Sequence, residues 1–134
     1  MPPKSSDVMT VDALLEEARA KLARLTPREA HDALRAGARI IDIRPADQRT
    51  RDGCVPGAHV VARNVLEWRL DPRSDHRDPD LARADRQVIV ICHGGYQSSL
   101  AAATLRRFGL DATDVIGGVE GWRADGLPLE PGEG

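Results

Sequence analysis

Aromatic residues are scarce in this chain of 134 residues: Trp68, Tyr96, Phe108 and Trp122 are the whole set. So few rings exclude a platform on which nucleic-acid bases stack. Lysine is scarcer still. Only Lys4 and Lys21 interrupt a basic complement that is otherwise arginine, which reads as coding bias and not as function. Neither sign of charge dominates. The net charge of −2 supplies no electrostatic reason for nucleic acid or an anionic membrane as partner. Long apolar runs are absent too. The longest, Val88 to Cys92, is far too short to span a bilayer. The opening MPPKSSDVMT lacks the apolar stretch of a signal peptide. A cytoplasmic protein is therefore the expectation. Cysteine is limited to Cys54 and Cys92, far apart and expected as free thiols in a reducing compartment. Neither belongs to a CxxC pair, so no metal site is expected.

What is present describes one globular domain with a real core: 41% of residues are hydrophobic and 30% charged. Residues 1–10 read as a disordered N-terminus. Val11, Leu14, Leu15, Ala18 and Leu22 recur at helical spacing, opposite Glu16, Glu17, Arg19 and Lys21. This predicts an amphipathic helix from Val11 to Leu22, in a segment spanning residues 11–24. Thr26-Pro27-Arg28-Glu29 is an N-cap, a proline at the first helical position and a capping-box glutamate. The second helix that it opens stops near Gly37.

Four segments have strand character: Arg39–Ile43, His59–Val61, Gln87–Cys92 and Thr113–Ile116. Pro56-Gly57 marks a turn before the second. A helix from Ser98 to Phe108 precedes the fourth, with Arg106 and Arg107 in the last turn, where the helix dipole favours positive charge. Val88-Ile89-Val90-Ile91 is apolar on both faces, as a buried parallel strand must be. Strands alternating with helices predict an α/β fold around an open, mostly parallel sheet. Residues 71–86, with five Asp and four Arg, read as a solvated surface connection, with a lid over the active site as the alternative.

Cys92 ends the most apolar strand and is followed by His93-Gly94-Gly95-Tyr96-Gln97-Ser98, then by a helix. Open α/β sheets place their chemistry at such a strand end. Gly94 and Gly95 permit a tight turn, so that successive N–H groups can point inward as an anion nest. The helix start adds unpaired N–H groups. Donors so placed favour the thiolate over the thiol. The alternative is that Cys92 is a small buried hydrophobe closing a strand.

At these residues the chain resembles the rhodanese family. The resemblance rests on Ile40-Ile41-Asp42-Ile43-Arg44, Gly53-Cys54-Val55-Pro56-Gly57-Ala58, Val90 to Ser99, Gly117-Gly118-Val119-Glu120-Gly121-Trp122 and Gly126-Leu127-Pro128. It covers residues 25–130 as a rhodanese-like domain and leaves the helix at 11–24 as an addition. It implies a sulfurtransferase in which Cys92, as nucleophile, takes the outer sulfur of thiosulfate or another sulfane donor as a persulfide. A thiol, cyanide or a protein then accepts that sulfur. His93, Gly94, Gly95, Tyr96, Gln97 and Ser98 match the loop that holds it. No cofactor is implied, since sulfur is itself the covalent intermediate.

The sequence departs from the family at two places. Gln97 fills a position where members commonly carry Arg, and His93 one that is often basic. The loop therefore lacks a permanent positive side chain, which makes the thiosulfate dianion a poorer match. Cys54 replaces the usual His of its motif and is expected to be a half-buried structural residue rather than a resolving thiol. Asp42 is expected in a structural ion pair. Arg44 is a candidate to supply the missing cation to the substrate. Tyr96 and His93 are expected at the rim of the loop. His31, His59 and His76 read as fillers, and Trp68 and Trp122 as packing against the sheet. A non-catalytic sulfur-binding or regulatory module is the alternative function. Related phosphatases share the fold, but their loop is one residue longer and ends in Arg, so phosphatase chemistry is disfavoured.

Overall fold

Four short strands form the sheet: β1 (Arg39–Asp42), β2 (His59–Val60), β3 (Val88–Ile91) and β4 (Ala112–Asp114). A computed structural model describes residues 8–132 and orders them β2-β1-β3-β4, every pair parallel. Registers run Asp42 opposite Val60 and Ile91, and Val90 opposite Asp114. The expected α/β class thus holds, with a fully parallel sheet. Val88 to Ile91 are all inaccessible to solvent, as an apolar run in a central strand requires. Burial of each such aliphatic side chain contributes about 1.5–3 kcal/mol.

Helices cover both faces. On one side α4 (Leu66–Leu70) and α5 (Gln97–Arg106) bury Leu66, Leu70, Ala101, Ala102 and Leu105 against Ile41, Val88 and Val90. On the other, α2 (Pro27–Arg35) and α6 (Gly118–Ala124) bury Ala30, Val119 and Trp122 against Ile40, Ile89 and Ile91. The alternation of Ile40 and Ile41, and of Val88 through Ile91, between the two cores is the period-2 pleat of a strand covered twice. A short helix, α3 (Ala46–Asp52), follows β1.

The amphipathic helix α1 runs from Val11 to Arg19, capped by Thr10, and packs on α5. It ends before the expected Leu22. Lys21 and Leu22 instead close tighter turns onto Ala18 and Arg19, and Leu22 packs against the α5 core. Of the expected disordered stretch, residues 1–7 lie outside the described residues. The capping box at Thr26 and Glu29 forms as predicted, with both reciprocal bonds present. The fourth strand runs Ala112–Asp114 instead of Thr113–Ile116, and beyond it Val115 makes a single bridge with Leu25. Leu25 N–H donates to the Asp114 carbonyl at 3.0 Å, and Ile116 N–H donates to the Leu25 carbonyl at 2.8 Å.

One expectation needs correction. Trp68 does not pack against the sheet; it is 58% exposed. Leu66 and Leu70, four apart, hold the inner face of α4, so the residue midway between them turns outward. Residues 71–86 form the expected surface connection and not the alternative, a lid. Asp80 pairs with Arg39 at the start of β1 and with Arg86, and Leu81 is buried in the core. The segment therefore sits at the end of the sheet opposite Cys92. Trp122 packs as expected, fully buried, its Nε1–H donating to the Pro128 carbonyl at 2.8 Å.

Candidate active site

Strand order reverses between β1 and β3, and the C-terminal ends of those two strands frame the crevice in which parallel sheets bind ligands. Cys92 leaves β3 at this point, 6% exposed. The loop after it curls back, Gly95 taking φ of +86°. Two backbone donors then meet the sulfur: Gly95 N–H at 3.2 Å and Ser98 N–H at 3.4 Å from Sγ. The Ser98 donor lies in the first turn of α5, so the positive end of that helix faces the same atom. Donors of this kind are stronger toward an anionic sulfur than toward a neutral one.

A cavity of about 410 Å³ opens in front of Cys92, with His93, Gly94, Tyr96, Gln97 and Arg44 on its wall. The expected loop residues are therefore brought together, but in different ways. Gly95 and Ser98 reach the sulfur through their N–H groups. The Ser98 hydroxyl turns away and donates to Asp114 at 2.8 Å. Gln97 is exposed and Tyr96 is 66% exposed, both on the rim. His93 Nε2 lies 2.8 Å from Glu120 Oε1, and its Nδ1 lies 3.5 Å from Asp52 Oδ2. The Arg51 guanidinium bonded to Asp52, seconded by Arg123, holds that carboxyl down at about 2, so it is an anion throughout the neutral range.

Arg44 is placed differently from a free cation at the cavity mouth. Its side chain is fully buried and grips Asp42, with Nη2 at 2.7 Å from Oδ2 and Nε at 3.0 Å from Oδ1. A further bond runs from Nη2 to the Gly53 carbonyl at 2.8 Å. Asp42 thus forms the expected structural pair and neutralises most of the arginine's field. Only Nη1 has no hydrogen-bond partner among the described residues. Cys54 is half-buried and pairs through its backbone with Glu130.

Sequence reasoning missed the support behind the loop. Asp114 at the end of β4 is fully buried and accepts from Ser98 Oγ, Ser99 Oγ and Arg24 Nε. Arg19 and Arg24 both donate to the Gly95 carbonyl, at 2.8 and 3.0 Å. Nothing in the spacing of α1 distinguished Arg19 from a solvated charge on its polar face. Only the packing of α1 on α5 brings it to the loop.

Comparison with known proteins agrees with this arrangement. A model of the rhodanese-like domain matches residues 26–125. A thiosulfate sulfurtransferase, GlpE, from Actinobacillus succinogenes is 31% identical over 112 residues, covering 82% of this chain and 92% of that one. A Rhodopseudomonas palustris protein of unknown function, described as a possible tyrosine phosphatase, superposes with a TM-score of 0.84 at 33% identity, over 97% of this chain and 99% of the other. A thiosulfate sulfurtransferase from Pseudomonas aeruginosa superposes with a TM-score of 0.69 at 25% identity, over 92% of this chain and 23% of its own. With three-quarters of its length matched by the family model and its cysteine loop at the strand end, this chain belongs to the rhodanese-like domain family.

Proposed function

We propose that this protein transfers sulfane sulfur through a persulfide on Cys92. The observation that carries the reading is the pair of backbone N–H groups, from Gly95 and Ser98, aimed at Sγ on the floor of an open cavity. A thiolate there attacks the outer sulfur of a donor. With thiosulfate, the S–S bond breaks and sulfite leaves with the bonding electron pair. The outer sulfur stays on Cys92, within reach of the same donors. A thiol or cyanide then attacks that outer sulfur, and the Cys92 thiolate departs as leaving group. Neither step transfers a proton to a carbon or oxygen centre, so no side chain has to act as general base. His93, Gly94, Tyr96 and Gln97 form the wall that a donor meets. Small-molecule donors and acceptors fit the cavity, and a protein acceptor would dock at the Tyr96 rim. A cytoplasmic location accords with two free thiols. Among the described residues, no helix is long and apolar enough to cross a membrane.

The phosphatase description of the Rhodopseudomonas relative does not transfer on this geometry. Four residues separate Cys92 from Gln97, and the loop contributes no arginine side chain to grip a phosphate. Intact-mass analysis after incubation with thiosulfate or a persulfide donor tests the proposal. One sulfur atom is expected on the peptide containing Cys92, removed by cyanide and absent in Cys92→Ser. Sulfur confined to Cys54, or full activity in Cys92→Ser, rejects it.

A further inference from the structure

The Gly95 carbonyl, on the far side of the sulfur loop from the cavity, receives two guanidinium groups from outside the family match. Arg19 stands in the last turn of α1, and Arg24 in the link between α1 and α2. Both precede residue 26, where the match to the rhodanese-like domain begins. Arg19 Nη2 lies 2.8 Å and Arg24 Nη2 3.0 Å from the Gly95 oxygen. Each guanidinium is itself anchored. Arg19 Nε donates to Ser99 Oγ at 3.1 Å, and the group lies 5.6 Å from the centre of the Tyr96 ring. Arg24 Nε donates to Asp114 Oδ1 at 2.9 Å. Ser99 and Asp114 are buried, so this is a fixed lattice and not a solvated contact.

The consequence follows from the chemistry of one residue. Gly95 donates its N–H to Cys92 Sγ and presents its C=O to two cations. Glycine is the residue with the most backbone freedom to lose. Held at both polar groups, it keeps its N–H on the sulfur without drift. The two guanidinium groups also bring positive charge to the back of the loop, while Gln97 supplies none at the front. Asp114 cancels much of the Arg24 charge. Among the described residues no carboxylate bonds Arg19, whose partners are the Gly95 carbonyl and the Ser99 hydroxyl.

We propose that Arg19 and Arg24 are positioning residues of the sulfur site, and that α1 is part of the transfer device: their guanidinium groups lock Gly95 and supply from behind the loop the charge that Gln97 lacks. This rests on the reading of Cys92 as the reactive thiol. The test uses the full chain in a Cys54→Ala background and reads the thiol directly, without sulfur transfer. Arg24 also neutralises buried Asp114, so the substitutions fall on Arg19. The measurements are the rate of Cys92 alkylation by iodoacetamide at pH 7 and hydrogen exchange of the peptide spanning residues 93–98. Arg19→Met is expected to slow alkylation about threefold or more, because the thiolate is the reacting form, and to speed exchange in the loop. Arg19→Lys restores most of the alkylation rate, and Arg35→Met, on the exposed end of α2, changes neither readout. Should Arg19→Met fail to fold, Arg19→Gln takes its place. Wild-type alkylation and loop exchange in the uncharged variant overturn the proposal. So does an equal slowing in Arg19→Lys, which would exclude charge as the cause. Loss of persulfide formation with these results intact would refute the Cys92 reading and not the role of Arg19.

Discussion

Gln97 opens α5 on the wall of the cavity beside Cys92, exposed and uncharged. Its amide can donate hydrogen bonds but carries no charge. An arginine there could grip a sulfonate with two charge-assisted bonds, each roughly twice as strong as a neutral one. The missing contact is worth about 1–3 kcal/mol. Weak thiosulfate:cyanide activity is therefore expected of the native protein. Gln97→Arg is expected to raise kcat/KM for thiosulfate about tenfold, equivalent to roughly 1.4 kcal/mol. An uncharged persulfide donor gains less. Steady-state kinetics with both donors decide the matter. Unchanged thiosulfate kinetics in a folded variant would shift attention to Arg44, whose Nη1 has no hydrogen-bond partner among the described residues.

Among the elements, α6 does more than cover the sheet. Its first turn docks under the sulfur loop. Val119 N–H donates to the Cys92 carbonyl at 2.9 Å, and Glu120 N–H to the His93 carbonyl at 3.1 Å. That approach requires glycine at the start of the helix. A Cβ on Gly118 would lie 2.4 Å from the Cys92 oxygen, 2.7 Å from the His93 oxygen and 2.8 Å from Gly95 N, at a φ of +58°. Gly109, which follows α5, has φ of +86° but open space around it. Gly109→Ala is expected to cost about 1–2 kcal/mol, the left-handed backbone penalty alone. Gly118→Ala adds steric conflict with backbone that cannot move away, and is expected to cost at least about 3 kcal/mol and to lower sulfur transfer sharply. Chemical denaturation of both variants, with activity measured on the folded fraction, separates the two. Equal costs would mean that the α6 docking tolerates displacement.

Over the whole molecule, chemistry and anchoring occupy opposite ends of the strands. Cys92, Asp42 and Arg44 lie at the C-terminal ends of β3 and β1, whereas the 71–86 segment ties down their N-terminal ends through Arg39, Asp80 and buried Leu81. Leu81→Ala is expected to destabilise the protein by about 2–5 kcal/mol, the range for truncating a buried leucine. Sulfur transfer per folded molecule should stay within about twofold, since Leu81 lies at the end of the sheet opposite Cys92 and distant sites act nearly independently. A tenfold activity loss in molecules that remain folded would show that the segment reaches the site after all.

The apolar run Val88–Ile91, the Thr26–Glu29 capping box and the glycine loop after Cys92 were legible in the chain because each is a local pattern. Strand pleat, cap chemistry and turn chemistry act over a few neighbouring residues. The same holds for the place of Cys92, which follows from where the most buried strand ends. The outward turn of Trp68 was not legible, because two leucines compete for the inner face of a single short helix. The structural pair of Asp42 was legible, but the full burial of Arg44 within it was not. A cation two residues beyond an acid can equally face solvent, and only the covering layer decides. Least visible of all was the work of Arg19 and Arg24. Their place behind Gly95 is set by the packing of α1 on α5 and by a carboxylate ninety residues from Arg24. Local sequence carries backbone conformation, but long-range charge placement arises only when distant elements are brought into contact.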